Sequence, residues 1–197
     1  FHDVRRLDRL ISDISDASRL DAELARSDSA PVDMEALVSN LVDISLQIRT
    51  GRKPVEIDLT VDRKTDVKSE FTVSGHDLRL GQIVTNLIEN ARSFVPEKSG
   101  RIKVRLFTNS KGRCIVHVDD NGPGIQAEDI DRIFERFYTD RPEGESFGQN
   151  SGLGLSISRQ IAEAHGGTLR AENLIDEKTG SPRGARFILS LPSGQQP

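Results

Sequence analysis

The sequence predicts an α+β fold, a two-layer α/β sandwich in which helices cover one face of an antiparallel-rich sheet, preceded by one long amphipathic helix. Three observations predict it. Stretches of alternating apolar and polar residues, the period of half-buried strands, recur between stretches of helical periodicity. The composition, 35% hydrophobic and 29% charged over 197 residues, is that of a globular chain with one core and room for an appendage. Three short polar islands fall at the ends or borders of predicted elements rather than at random: Asn86-Leu-Ile-Glu-Asn90, Asp120-Asn-Gly122-Pro-Gly124 and Gly152-Leu-Gly154.

The elements follow in order. Residues 1–26 carry Leu7, Leu10, Ile14, Ala17 and Leu24 on one stripe, with Asp and Arg on the other faces. A lone helix of that length is marginal in water, so the stripe needs a partner. Ser27 to Pro31 reads as a polar linker, which sets the domain division at 1–26 and 27–197. Asp33 is placed as an N-cap, with Val32 and Leu37 spaced for a hydrophobic staple. The helix it opens runs to about Thr50 and buries Leu37, Val38, Leu41, Ile44 and Ile48. Val55, Ile57, Leu59 and Val61 alternate as a strand, and a shorter strand surrounds Phe71 and Val73. Leu78 to Phe94 is a helix with Leu80, Ile83, Val84, Leu87 and Ala91 on its core face. Ile102, Val104 and Leu106, then Cys114, Val116 and Val118, give two strands turning at Ser110-Lys-Gly112. A helix is predicted over Ala127 to Arg136. A polar, glycine-bearing stretch without periodicity runs from Tyr138 to Ser151. Gly152 to His165 is helical. Thr168 to Asn173 and Arg186 to Leu191 form a last strand pair, with Pro182-Arg-Gly184 in the connection.

Bulk properties exclude several classes. The net charge is −4, so no basic excess supports nucleic-acid binding. The single cysteine, Cys114, excludes an internal disulfide and fits a reducing compartment. No apolar run approaches membrane-spanning length, and no signal peptide is recognisable. The fragment is therefore expected to be cytoplasmic and to make no membrane contact itself.

Each island suits one part of a nucleotide. Asn86 and Asn90 lie one turn apart on the border of a core face. Their amide oxygens suit Mg²⁺, a hard cation that keeps waters and phosphate oxygens for its remaining positions; a plain helix surface would read the same way. Asp120 ends a strand, and Gly122 and Gly124 let the chain turn sharply behind it. Its carboxylate can accept a hydrogen bond from an exocyclic amine such as adenine N6, though an ordinary Asx turn has the same residues. Gly152, Leu153, Gly154 and Leu155 open a helix whose free N–H groups and partial positive charge attract phosphate. The preceding polar stretch is long for a connector and suits a lid.

As an ordered set these islands resemble the N, G1 and G2 boxes of a histidine kinase catalytic domain, within the wider ATPase superfamily that includes Hsp90, gyrase and MutL. Ile133-Phe-Glu-Arg-Phe-Tyr138 resembles the F box. Arg19-Leu-Asp-Ala-Glu23 resembles the end of the second dimerisation helix of such kinases. The run from Asp8 to Ser18 is similar to alphaproteobacterial sensor kinases of the ChvG/BvrS type. The resemblance implies the Bergerat (GHKL) ATP-binding fold and the cofactors ATP and Mg²⁺. It implies Asn90 as metal ligand, Asn86 near the phosphates, Asp120 on adenine N6, and Gly122 and Gly124 shaping the base pocket. It implies Gly152 and Gly154, with Leu153 and Leu155 between and after them, at the phosphates, and Phe134 and Phe137 as anchors of the lid. The sequence departs from the family's pattern in two places. Ser93 stands where Lys is usual, before the usual aromatic residue at Phe94, which leaves Arg141 in the lid as a substitute cation. Ala185 stands where Thr is usual after Gly184.

The resemblance further implies that the γ-phosphoryl group passes to a histidine, then to the aspartate of a cognate response regulator. The implied partners are the chain's own dimerisation domain, a homodimer partner and that regulator, and the full-length protein is expected at the inner membrane with this part on the cytoplasmic side. His2 lacks the downstream proline of a phosphoacceptor box, and His76, His117 and His165 read as structural. The acceptor is therefore expected on a helix before residue 1, leaving no catalytic residue in the fragment. Two alternatives stay open: a stand-alone ATP-binding regulator resembling anti-sigma-factor kinases, and a non-enzymatic dimerisation module with a degenerate pocket.

Overall fold

The computed structural model describes residues 29–47, 55–64, 70–138 and 152–194. The long helix expected over 1–26, the boundary at 26/27, His2, Arg141 and most of the expected lid lie outside the described residues.

The described residues form two sheets. Strand β1 (Ala30–Asp33) pairs antiparallel with β3 (Thr72–Gly75) in a two-stranded ribbon. The larger sheet has five strands in the order β2-β4-β5-β7-β6. These are β2 (Glu56–Asp62), β4 (Arg101–Thr108), β5 (Cys114–Asp120), β6 (Thr168–Ile175) and β7 (Pro182–Leu191). Only the β2–β4 pair is parallel; the others are antiparallel. Three helices complete the described fold: α1 (Met34–Gln47), α2 (Asp77–Phe94) and α3 (Gly154–Ala164).

Strand periodicity decides which face the helices cover. In β4, Ile102, Val104 and Leu106 are buried while Arg101, Lys103 and Arg105 are exposed. Their β5 partners Asp120, Val118 and Val116 share the covered face. Period two therefore carries Asp120 onto the covered side at the end of its strand, next to the core rather than in solvent. The opposite face is laced by Arg101–Glu56, Arg105–Asp62 and Arg186–Asp119 pairs.

Helix α2 is the spine of the helical layer. Leu80, Ile83, Val84, Leu87, Ile88 and Ala91 are all fully buried, which fits their i, i+3, i+4 spacing. Pro96 ends it: the residue before a proline avoids the helical region, and Val95 is extended at φ −71, ψ 152. Helix α3 ends in a Schellman motif. Gly166 at φ +65 donates to the Glu163 carbonyl and Gly167 to the Ala162 carbonyl, at 2.9 and 2.8 Å.

Several expectations are corrected. Ala30 and Pro31, read as linker, are strand; Pro31 tolerates this because the ribbon is two-stranded and leaves an edge needing no donor. Pro182 and Arg183, read as connection, begin β7, and Pro182 is its first residue, where a missing N–H costs no ladder bond. Helix α1 is capped as expected, with Asp33 Oδ1 accepting from the Glu35 and Ala36 N–H groups. It buries Met34, Val38, Val42 and Ser45, while Ile44 is 50% exposed. The helix expected over Ala127 to Arg136 is two 3₁₀ turns, Ala127–Asp129 and Arg132–Phe134. Buried Asp129 pairs with Arg132 three residues on, the spacing that a 3₁₀ turn brings into line, and Phe137 at φ +66 stops any continuation.

Candidate nucleotide site

The three islands meet along one stripe of α2. Positions 86, 90 and 94 are successive turns on the same side of the helix. At the first, Asn86 Nδ2 donates to the Gly154 carbonyl at 3.2 Å and to Ser158 Oγ at 3.1 Å, tying α2 to the first turn of α3. At the last, a side chain on Gly122 would meet the Phe94 carbonyl oxygen at 2.9 Å, so the turn after Asp120 lies directly on the end of α2. Asn90 stands halfway, half-buried, with no side-chain hydrogen bond among the described residues. Eight residues at 1.5 Å each give about 12 Å between the two contact points, a span on the scale of a nucleoside triphosphate.

Asp120 is 5% exposed. Its Oδ1 accepts from the Gly122 N–H at 2.8 Å and from the Ala185 N–H at 3.2 Å. Both contacts fall on one oxygen. Burial pushes the carboxyl above the ordinary carboxylate range, against the two N–H donors, which favour the ionised form. Gly124, at φ +83, has no room for a side chain: one would lie 2.8 Å from Asn173 Oδ1 and from Pro182 Cβ. Asn173 clamps the same loop by accepting from the Ile125 N–H and donating to the Ile125 carbonyl, both at 2.7 Å.

The expected lid begins and ends at one point. The Phe137 N–H donates to the Gly152 carbonyl at 3.0 Å. Gly152, at φ +71, has the Phe137 backbone 2.9 Å from where a Cβ would stand. The two phenylalanines divide their roles differently from the expectation. Phe134 is buried, edge-on to Phe187 at 6.4 Å with the Arg159 guanidinium 3.9 Å over its ring. Phe137 is 58% exposed, so it meets Gly152 through its backbone rather than its ring. Leu153 is buried in the core, whereas Leu155 is half-buried against it. Leu153 can thus serve a ligand only through its main chain. As the N-cap of α3 it makes no side-chain cap bond.

The departures at 93 and 185 also have structural counterparts. Ser93 Oγ donates to the Glu89 carbonyl at 2.8 Å, a local helix bond. Ala185 contributes its backbone N–H to Asp120. The histidines are built into the frame. His165 Nδ1 meets the Ile161 carbonyl at 2.7 Å and its Nε2 accepts from the His76 N–H at 3.1 Å. His117 packs edge-on to Phe107 at 4.9 Å.

Sequence reasoning missed Ser158, Asn173 and Arg159. Only Arg159 left a signal: α3 places it two turns past Gly152, on the helix following an aromatic pair.

The donor set fits a magnesium nucleotide. The described residues hold no cluster of three His, Cys, Asp or Glu side chains able to cage an ion. The Asn90 amide oxygen, with no hydrogen bond among the described residues, suits Mg²⁺ held mainly by phosphate oxygens and water. The positive-φ Gly152 and the glycine-lined start of α3 suit the phosphates, and the buried carboxylate suits an amine.

Comparisons with known proteins agree on a family. The profile described as histidine kinase-, DNA gyrase B-, and HSP90-like ATPase matches residues 75–195. The chain is 74% identical over 196 residues to the sensor protein ChvG of Rhizobium meliloti (strain 1021), covering 100% of this chain and 34% of that protein. It thus spans about a third of the length of such relatives. Among solved structures, the mycobacterial sensor histidine kinase MprB superposes with a TM-score of 0.67 at 29% identity, covering 85% of this chain and 99% of that one. Full-length ShkA in complex with AMPPNP gives 0.73 at 28% identity, covering 95% of this chain and 36% of that one.

Proposed function

The chain belongs to the histidine kinase-, DNA gyrase B- and HSP90-like ATPase family, and we propose that it is the catalytic, ATP-binding part of a sensor histidine kinase of the ChvG type. The observation that carries this reading is the single stripe of α2. It sets Asn90 between a glycine-lined helix start at Asn86 and a buried carboxylate turn at Phe94.

In this reading Asp120 receives the adenine amine on its second carboxylate oxygen, while Oδ1 stays committed to Gly122 and Ala185. Gly122 and Gly124 keep the base pocket open. Asn90 gives its amide oxygen to Mg²⁺. Gly152 and Gly154, with the main chain of Leu153 and Leu155, meet the phosphates at the start of α3. Phe137 holds the base of the lid, and Arg141 supplies a cation from it. Bound ATP supplies the γ-phosphoryl group, which passes to a histidine on a dimerisation helix. A neutral imidazole is already a nucleophile and needs no base from this domain.

The same reading assigns 1–26 to the second dimerisation helix and 27–197 to the catalytic domain. It gives the chain a homodimer partner and a cognate response regulator as partners. It places the full-length protein at the inner membrane with this part on the cytoplasmic side; among the described residues no helix is long and apolar enough to cross a membrane.

Calorimetric titration with ADP, with and without Mg²⁺, tests the reading. The expected result is Mg²⁺-dependent binding that Asn90→Ala removes while the circular dichroism spectrum is unchanged. Equal affinity for Asn90→Ala and the unsubstituted chain would take the metal role from Asn90; no binding by either would leave the degenerate-module alternative standing.

A further inference from the structure

Asn86 spends its amide in a way its place near the phosphates does not require. The Gly154 carbonyl can only accept, so the group facing α3 is the Asn86 nitrogen, and Ser158 Oγ takes its second N–H. With both donors engaged on α3, the amide plane is fixed. Its oxygen, which carries no hydrogen bond among the described residues, is the group left for a ligand. The whole amide lies against the first residue of α3, its nitrogen 3.7 Å and its oxygen 3.9 Å from where a Gly154 side chain would begin. Ser158 itself is 0% exposed, so it cannot touch a nucleotide.

We propose that Ser158 is a positioning residue for nucleotide binding: its buried hydroxyl holds the Asn86 amide in the one orientation that turns oxygen, not nitrogen, toward the magnesium–phosphate end of the site. The inference rests on the proposed nucleotide site and deepens it. Without the hydroxyl, Asn86 keeps a single tie, to Gly154, and its amide is free to swing about that bond. Amide nitrogen then competes with oxygen for the position facing the cation's water shell or the phosphates. A donor facing a hydrated cation is the wrong partner. The α2–α3 contact also loosens where Asn90 and the glycine turn must face each other.

The test is a double-mutant cycle on the whole chain, with Mg-ADP as the probe. Ser158→Ala is expected to weaken Mg-ADP about five-fold, the scale of one hydrogen bond, and to weaken metal-free ADP by less. In the Asn86→Ala background the same substitution is expected to change nothing, because the residue it acts through is gone. Thermal unfolding of each variant is followed in parallel, since a hydroxyl that merely packs would shift the melting temperature and leave the Mg²⁺ dependence alone. Unchanged Mg-ADP affinity in Ser158→Ala, or losses that simply add in the double variant, would overturn the positioning role. An unsubstituted chain that binds no Mg-ADP would overturn the nucleotide reading and this inference with it.

Discussion

Two substitutions at Asp120 separate its work for the fold from its work for the ligand. Oδ1 accepts two buried N–H groups, from Gly122 and Ala185. Asp120→Ala leaves both without an acceptor. Each orphaned donor costs about 1–3 kcal/mol, so the loss is about 2–6 kcal/mol, or about 4–24 °C in melting temperature for a domain of this size. Asp120→Asn keeps an oxygen for both donors and removes a charge that burial disfavours, so its stability is expected within about 1 kcal/mol of the parent. The ligand sees the reverse. The second oxygen becomes an NH₂ group, and a donor meets the adenine amine, also a donor. One lost charged hydrogen bond with a mismatched replacement is worth about 2.8 kcal/mol, roughly a hundredfold in affinity. Calorimetry with Mg-ADP and a urea titration of each variant measure the two effects. If Asp120→Asn bound Mg-ADP like the parent, or Asp120→Ala unfolded at the parent's midpoint, the assignment of one oxygen to the fold and one to the base would fail. The pH dependence follows from the same carboxyl. Its folded-state pKa is raised above 3.8 by burial, so the folded state holds the proton more tightly than the unfolded chain. This group's contribution to stability therefore declines as pH rises from 3.8 to the raised value. Adenine binding as proposed uses the ionised form and declines in the opposite direction, as pH falls through the raised value. Asp120→Asn should abolish both trends.

Gly184→Ala should destabilise the chain by about 3 kcal/mol or more, because a Cβ there would lie 1.8 Å from the Asp120 carbonyl oxygen at φ +147. The control is Gly180→Ala, at φ +69 with nothing within 4 Å, which should cost only the left-handed penalty of about 1–2 kcal/mol; equal urea midpoints for the two would refute the packing argument. Cys114 is buried and its thiol is pushed up to about 12. A disulfide reagent at pH 8 should therefore leave it unlabelled in the native protein and label it only after unfolding, and rapid native labelling would contradict its place in the core.

Periodicity made most of the described fold legible. Helix α2 and strand β4 follow directly from apolar spacing, because in each one face is buried and the other is not, and β5 keeps the same alternation from Val116 on. What the sequence hid has physical reasons. Pro31 and Pro182 look like breakers, yet each sits where a strand needs no donor. The segment over 127–136 has apolar residues at helical spacing, but two tertiary demands, Phe134 against Phe187 and Phe137 against Gly152, require a turn between them. Ile44 continues the apolar pattern of α1 past the point where the described residues cover it. The site's outer supports were illegible for a simpler reason. Asn86 meets Ser158 across 72 residues and Asn173 meets Ile125 across 48. No local pattern announces such a contact. The islands were visible because each is local: a helix border, a strand end and a helix start.

The geometry around Asn86 also bears on what the bound phosphate would do. A hydrolase needs a carboxylate or other base aimed at water over the terminal phosphate, and position 86 is the nearest on the stripe to the start of α3. Here the side chain donates both N–H groups, to the Gly154 carbonyl and to Ser158. A glutamate has no N–H to give, and its carboxylate would face the Gly154 carbonyl oxygen, an acceptor against an acceptor. The close start of α3 and a general base at position 86 are thus incompatible as built. The nearby acid cannot take over. Glu89 lies about 100° around the helix from Asn90, and its carboxylate is 3.8 Å from the Arg92 guanidinium. Arg92 is itself buried and donates to the Ser45 carbonyl on α1 at 3.0 Å. Glu89 is thereby drawn toward the α1 side of α2, away from the stripe that carries Asn86 and Asn90. Neither position offers a group to deprotonate water over a terminal phosphate. A site that binds a nucleoside triphosphate without activating water preserves the phosphoryl group for an acceptor that brings its own nucleophile, which is the chemistry of a histidine kinase rather than of a hydrolase.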